Sequence, residues 1–365
     1  MNSRTKVDQP FLISVITLTV AGFFIFSSAS LGLLAQKTNI YSSVTFKQIF
    51  FGLFLGTLIM LAISRIPFKT FRQISLIFFI VSIILTLAVF IPGIGLAHGG
   101  AHRWIDLRFI SFQPAEILKI GYVLYLAAYL AHARKQVETV SGGLLPFLLI
   151  TAVVGVVLLI QPDTDNFMVI ATAGLAMFLV AGGKIKHISL LVIAGVLMIG
   201  VLALTRPYVR DRITTFLDPS RDALGSSYQI QQSFIAIGSG QMFGRGFGQS
   251  IQKFNFLPEP IGDSIFAVFS EEFGFFGALV LLCLFIFFTL RALKIASVTT
   301  DPFGRLVVVG LAILIITQAF VNIAGMLGVI PLSGISLPFV SHGGTALLVA
   351  LAEAGIILSI SRKRT

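Results

Sequence analysis

Among 365 residues there is one cysteine, Cys283, and one tryptophan, Trp104. A single thiol inside the apolar run LVLLCLFIFF can build neither a disulfide framework nor a cysteine-based metal site. Charge is scarce as well: Asp, Glu, Lys and Arg make up 11% of the chain, against 56% hydrophobic residues. No water-soluble domain covers that much apolar surface, so the composition implies an all-α polytopic membrane protein. Carboxylates are the rarest charge, 15 against 26 Lys and Arg, for a net charge of +11. Gathered on a soluble face, that excess would suggest nucleic acid; scattered over short loops it reads as membrane topology, with no nucleic-acid partner. A cleavable signal is not expected, because the first apolar run is too long and further spans follow.

Apolar runs long enough to cross a bilayer fall at about 11–35, 46–66, 71–92, 114–131, 144–160, 166–183, 187–205, 264–290, 304–329 and 339–361, roughly ten spans of ~20 residues. With the N-terminus inside, 15 basic residues fall on the cytoplasmic side: Arg4, Lys6, Arg65, Lys69, Arg72, Arg134, Lys135, Lys184, Lys186, Arg291, Lys294, Arg305, Arg362, Lys363 and Arg364. Four fall in short outer loops, Lys37, Lys47, Arg103 and Arg108. The bias places both termini in the cytoplasm. Asp106, Asp163, Asp165, Asp211, Asp218, Asp222, Glu259 and Asp263 gather on the outer side; only Asp8, Glu138 and Asp301 fall inside.

The outer segment 206–263, between spans seven and eight, is far longer than the other loops, and loops of that length in compact proteins are usually functional. Within it, Tyr228–Gly248 reads as a short amphipathic helix lying on the membrane, then a glycine-rich turn. Its GSG and GRGFG lack the preceding strand that a nucleotide fingerprint requires. In the earlier outer loop, Trp104 beside Arg103 reads as an interfacial anchor. His98 and His102 are separated by two glycines, which argues against a helical two-histidine metal site.

Ionisable groups at membrane depth cost ~3 kcal/mol each on insertion scales and mark function by default. The stretch Phe256–Gly274 brings Asp263, after Pro258 and Pro260, to the start of the eighth span. Two readings stay open: a helix N-cap for the N–H groups of Ile265 or Phe266, or a general base at the membrane surface. Glu271 and Glu272 follow. At 100° per residue Asp263, Ser270, Gly274 and Gly277 form one stripe, and Glu271, about 80° from it, is expected to face the same cavity. Lys119 lies about 8 Å below the outer surface on the fourth span. It can pair with Glu116 three residues earlier or face Asp263 at similar depth. Glu353 sits near mid-bilayer in the last span. Ser341, Gly343 and Gly344 open that span with a candidate anion site at a helix N-terminus, or with a tight loop that needs glycine.

RWIDLRFISFQPAEILK, QPDTDN, FLDPSRDALGSSYQIQQSFIAIGSGQMFGRGFG, QKFNFLPEPIGDSIFAVFSEEFGFFG and IPLSGISLPFVSHGGT occur in this order over residues 100–345. Together they resemble the SEDS proteins, the FtsW, RodA and SpoVE group of bacterial cell-wall polymerases. QSIQKFNFLPE looks more like the FtsW subgroup. Four positions depart from the family's pattern. Asp165 stands where glycine is usual, His342 where tyrosine is, and Ser264 where an aromatic is; Glu353 has no counterpart.

The resemblance implies a single integral domain of the bacterial inner membrane that joins lipid II units into glycan strands for division or elongation. It puts the essential acid at Asp263 and the motif lysine at Lys119. A sugar hydroxyl attacking an anomeric carbon needs a base, which Asp263 can supply. The departing pyrophosphate needs positive charge from Lys119, Arg103, Arg210, Arg212, or a divalent cation (Mg or Mn) held by outer carboxylates. Glu116, Glu259 and Glu271 are expected in the same substrate cavity. No organic cofactor is expected. The implied partners are a class B penicillin-binding protein and other divisome or elongasome proteins, besides the membrane lipid itself. A lipid II flippase and a non-catalytic scaffold are the competing classes. The first requires charged sites reachable from both faces; the second requires an Asp263 that can be removed harmlessly.

Overall fold

The computed structural model describes residues 7–35, 38–98, 101–106, 111–220, 225 and 227–362. Arg4, Lys6, Lys37, Arg108, Asp222, Lys363 and Arg364, used above for topology, lie outside the described residues. The helices are α1 Gln9–Ser30, α2 Thr38–Lys47, α3 Gly56–Ile63, α4 Phe68–Leu87, α5 Pro114–His132, α6 Leu145–Ile160 and α7 Thr164–Val180. They continue with α8 Ile185–Thr205, α9 Pro207–Leu217, α10 Tyr228–Ser239, α11 Ile265–Val298, α12 Pro302–Met326 and α13 Gly344–Ser361. A π-helical stretch, Gln48–Leu55, joins α2 to α3 into one span. Among the described residues eight helices are long and apolar enough to cross a membrane, and two shorter apolar helices, α7 and α13, complete the ten expected.

The expected all-α membrane architecture holds, with one small addition: β1 Gly95–His98, β2 Ala101–Asp106 and β3 Ser111–Phe112 form a short antiparallel sheet in the loop before α5. His98 and His102 fall on its paired strands rather than on a helix.

Burial ranks the helices. Among the eight long spans α5 and α12 are the most enclosed, each with 72% of its central residues buried, whereas α8 has none, and the shorter α13 is buried along nearly its whole length. Side chains on α8 therefore meet the surroundings almost all round, as an apolar span at the rim must. The starts of α5, α7, α11 and α13 gather at one end of the bundle, around a crevice lined by Glu116, Asn166, Asp263 and Gly343. At the other end the first and last helices meet. The Asp8 N–H donates to Ser361 Oγ at 3.2 Å, and Arg291 on α11 grips the Asp8 carboxylate with two bonds of 2.8 Å.

The expectation of an unbroken eighth span fails at Gly274. Its φ of 65° and ψ of −164° interrupt α11, in a region of backbone space open only to glycine. The break frees backbone groups that no water can satisfy at membrane depth, and the segment after α10 supplies partners. The Arg245 and Gly246 N–H groups donate to Glu271 O and Glu272 O (3.0 and 2.9 Å), while Phe275 and Phe276 donate to Gln241 O and Met242 O (2.9 and 3.1 Å). The glycine-rich segment does turn, as expected, and its backbone is bonded into the break of the helix. A Cβ at position 274 would lie 2.4 Å from the Gly244 nitrogen. Gly274→Ala is expected to cost about 3 kcal/mol or more, from backbone strain and overpacking together. Thermal unfolding of the purified variant checks this.

Candidate active site

Asp263 sits on the wall of a crevice of about 520 Å³. It precedes α11 rather than starting it. Ser264 occupies the cap position without a side-chain cap bond, so the N-cap reading of Asp263 finds no support. The helical phase used to project Glu271 toward Asp263 also does not apply, because residues 259–264 form a turn. That turn is held on every side. Glu259 O accepts from the Gly262 and Ser264 N–H groups (3.0 and 3.3 Å), and Ile261 O from the His342 N–H (2.6 Å). Gly262 O accepts from Ser341 Oγ (2.7 Å) and Asp263 O from Asn322 Nδ2 (2.7 Å). A carboxylate on such a turn is held in place by backbone bonds rather than by its own side chain.

The Asp263 carboxylate itself accepts from Gln229 Nε2 at 3.2 Å. Burial raises its pKa to about 6; the Gln229 bond opposes this rise, and the Glu259 charge adds to it. Glu259, exposed with φ 46°, lines the same crevice.

Lys119 is not opposite Asp263. Its ammonium is buried, bonded to Glu116 Oε1 at 2.7 Å and Gln318 Oε1 at 2.9 Å, and it does not line the crevice. The reason is the three-residue spacing on α5, which sets Glu116 and Lys119 side by side. Glu116 reaches the crevice, with Lys119 beneath it. Glu353 lines a water-sized pocket of about 10 Å³ below, with Glu116, Gln318 and Ser341.

Arg103 faces the crevice while donating to the carbonyls of Gln161 (3.4 Å) and Pro162. Arg210 and Arg212 do not line it. Arg212 pairs with Asp165 in the first turn of α7, drawn there by the carboxylate of QPDTDN, and Arg210 is exposed on α9. Glu271 faces the inserted segment instead of the crevice, accepting from Ser250 Oγ at 2.6 Å and from the Ile251 and Gln252 N–H groups, both at 3.2 Å. The anion site expected at the start of α13 is largely spent on structure. The Ser341 N–H donates to Leu337 O (2.9 Å), the His342 N–H to Ile261 O (2.6 Å) and the Gly343 N–H to Gln48 Oε1 (3.2 Å). Gly343 still lines the crevice, and Gly344 begins the helix behind it. Among the described residues no three His, Cys, Asp or Glu side chains converge to hold a metal ion.

Sequence reasoning overlooked the amides. Gln318 and Asn322, four apart on α12, tie Lys119, Ser336 O, Ile335 O and Asp263 O together. Their signal was present: two amides on one face of a strongly apolar helix need buried partners.

An all-apolar groove of about 290 Å³ runs between α4, α5 and α13, and Thr345 lines both it and the crevice. Ten apolar helices among the described residues, with a crevice carrying charged side chains at one end and an all-apolar groove beside it, define a multi-pass membrane protein.

Comparison with known proteins places it more closely. The family model FTSW_RODA_SPOVE, described as cell cycle protein, matches residues 9–365. Stage V sporulation protein E of Bacillus subtilis (strain 168) is 35% identical, covering 98% of both chains. A probable peptidoglycan glycosyltransferase FtsW of Geobacter sp. (strain M18) is 34% identical over 98% of this chain and 97% of its own. The fold matches a chain in a peptidoglycan synthase complex that coordinates polymerization and crosslinking, with a TM-score of 0.80, 26% identity and 98% coverage of each chain. It also matches the rod shape determining protein RodA of Thermus thermophilus, with a TM-score of 0.71, 24% identity and 98% of this chain and 97% of that one covered. The chain belongs to the FtsW/RodA/SpoVE family, and its sequence is FtsW-like.

Proposed function

We propose that this protein is a peptidoglycan glycosyltransferase that polymerises lipid II at the outer face of the bacterial cytoplasmic membrane. The observation that carries this reading is the half-buried Asp263 carboxylate in a crevice carrying charged side chains, beside an all-apolar groove that shares Thr345 with it. Lipid II is itself divided that way, into disaccharide-pyrophosphate and polyprenyl chain. The crevice suits the first part and the groove the second. Asp263 takes the proton from the attacking sugar hydroxyl as its oxygen bonds to the anomeric carbon of the second sugar. The bond from that carbon to pyrophosphate breaks, and the electron pair leaves with the polyprenyl pyrophosphate. Attack opposite the leaving group inverts the anomeric centre in one displacement. Arg103 is the crevice-facing cation placed to attract the pyrophosphate.

The Lys/Arg bias supports a crevice on the outer side and both termini in the cytoplasm. Crevice carboxylates gathered at one end suit chemistry on one face better than passage through the membrane, which favours polymerase over flippase. The solved complex, which coordinates polymerization and crosslinking, supports a crosslinking partner, and the family resemblance makes that partner a class B penicillin-binding protein, in division or elongation. The test is glycan-strand formation from lipid II by the purified protein, alone and with that partner. Strands are expected; lipid II moved between leaflets of vesicles with no strands formed would establish the flippase instead.

The pH dependence has a definite sign. A base whose pKa is raised to about 6 loses activity as pH falls through that value. Glu259→Gln removes a negative neighbour, so the acid limb of the rate profile is expected to move to lower pH. The move should be about half a unit or less, because Glu259 is exposed and screened.

A further inference from the structure

Only one side chain of another element hydrogen-bonds the Asp263 carboxylate among the described residues. It is Gln229, in the first turn of α10. Its Nε2 lies 3.2 Å from Asp263 Oδ1 and 3.0 Å from Ser264 Oγ, so one amide nitrogen serves two neighbouring oxygens. That double demand fixes which way the amide points: turned over, its oxygen would face the carboxylate oxygen and repel it. Gln229 is itself held by its helix, since Ile230, Ser233 and Ala236 are buried and Ser233 Oγ donates back to Gln229 O at 2.8 Å. Behind α10, the following segment is locked into the break of α11 through Glu271 and Glu272. The position of the amide is therefore fixed by two elements, neither of which forms the crevice wall.

We propose that Gln229 is the positioning residue of Asp263, its amide oriented by Ser264, holding one carboxylate oxygen so that the other is presented to the crevice. This rests on the reading of Asp263 as the base. The other charged or titratable groups facing that carboxylate are Glu259 on its own turn, and Glu116, Arg103 and His342 across the crevice. None of these is a hydrogen-bond partner of Asp263, so a change in Gln229 has a signature of its own.

A hydrogen bond donated to the ionised form favours ionisation. Removing the donor should therefore leave Asp263 protonated up to higher pH. Dicyclohexylcarbodiimide modifies carboxyl groups in their protonated form, and mass spectrometry of the Asp263 peptide reads this without any turnover. In the full-length protein, Gln229→Leu is expected to raise the pH of half-modification by about one unit, and Ser264→Ala by less. Gln229→Glu keeps the side-chain shape while setting a second carboxylate against the first, and is expected to raise it further. The acid limb of lipid II polymerisation should move by the same amount in each variant. An unmoved midpoint in both Gln229→Leu and Gln229→Glu, in protein that melts as wild type does, overturns the proposal. If the midpoints move but Asp263→Asn still polymerises lipid II, the positioning stands and the reading of Asp263 as the base falls.

Discussion

Asp263→Asn should reduce lipid II polymerisation by about 10²–10⁴-fold, the usual contribution of a positioned general base. The substitution is nearly isosteric, and the turn beneath it is held by backbone bonds from Ser341, His342 and Asn322 that do not involve the carboxylate. The fold should therefore survive. Stability supplies an independent check with a known sign. Burial raises the Asp263 pKa from 3.8 to about 6, so the ionised carboxylate costs the folded protein free energy. That cost is absent below the unfolded value, grows as pH rises through the interval, and is complete above about 6. The Asn variant should then melt at a higher temperature than wild type near pH 8, with the gap closing toward pH 4. A trade of stability for function at one residue is what a working acid–base group is expected to show. Strand synthesis above a tenth of the wild-type rate, in protein that melts normally, would remove Asp263 from the catalytic role.

The number of spans was legible because each needs an uninterrupted apolar run, and the composition leaves little else. The Pro258 and Pro260 signal correctly marked a fixed turn before α11. What could not be read were relations between elements. Helical phase failed for Glu271 because Asp263 lies in the turn before the helix, and one-dimensional periodicity assumes a continuous helix. Equal depth of Lys119 and Asp263 followed from topology, but depth says nothing of azimuth. Gln318 on α12 and Glu116 on the same helix claim Lys119 first. Arg212 was placed near the substrate for its charge, yet Asp165, the residue that departs from the family pattern, captures it. The sheet before α5 escaped notice because its strands are short and interrupted by glycines, too little for a period-two pattern.

Lys253→Met is expected to be the most destabilising single change among the charged residues, at about 3–5 kcal/mol. The Lys253 ammonium is fully buried, 2.7 Å from Glu272 Oε1, with Ser28 Oγ at 3.1 Å and Gly248 O at 2.9 Å. It is the point where α1, the inserted segment and the upper half of α11 are tied together. Methionine fills most of the space but leaves the Glu272 carboxylate buried with only the Ser28 hydroxyl and the Ser250 N–H. An uncompensated charge at that depth is the costly outcome, rather than the lost attraction. It follows that neutralising both partners should restore much of the loss. Lys253→Met combined with Glu272→Gln is expected to be more stable than Lys253→Met alone by about 2 kcal/mol or more. Thermal unfolding in detergent of the four members of this cycle measures the coupling directly. Because the tie holds the segment that runs from α10 to Asp263, the single variant should lose polymerisation at temperatures where the double variant keeps it. A single variant within about 1 kcal/mol of wild type would mean that the inserted segment is held by the backbone bonds across Gly274 alone, with the buried ion pair adding little.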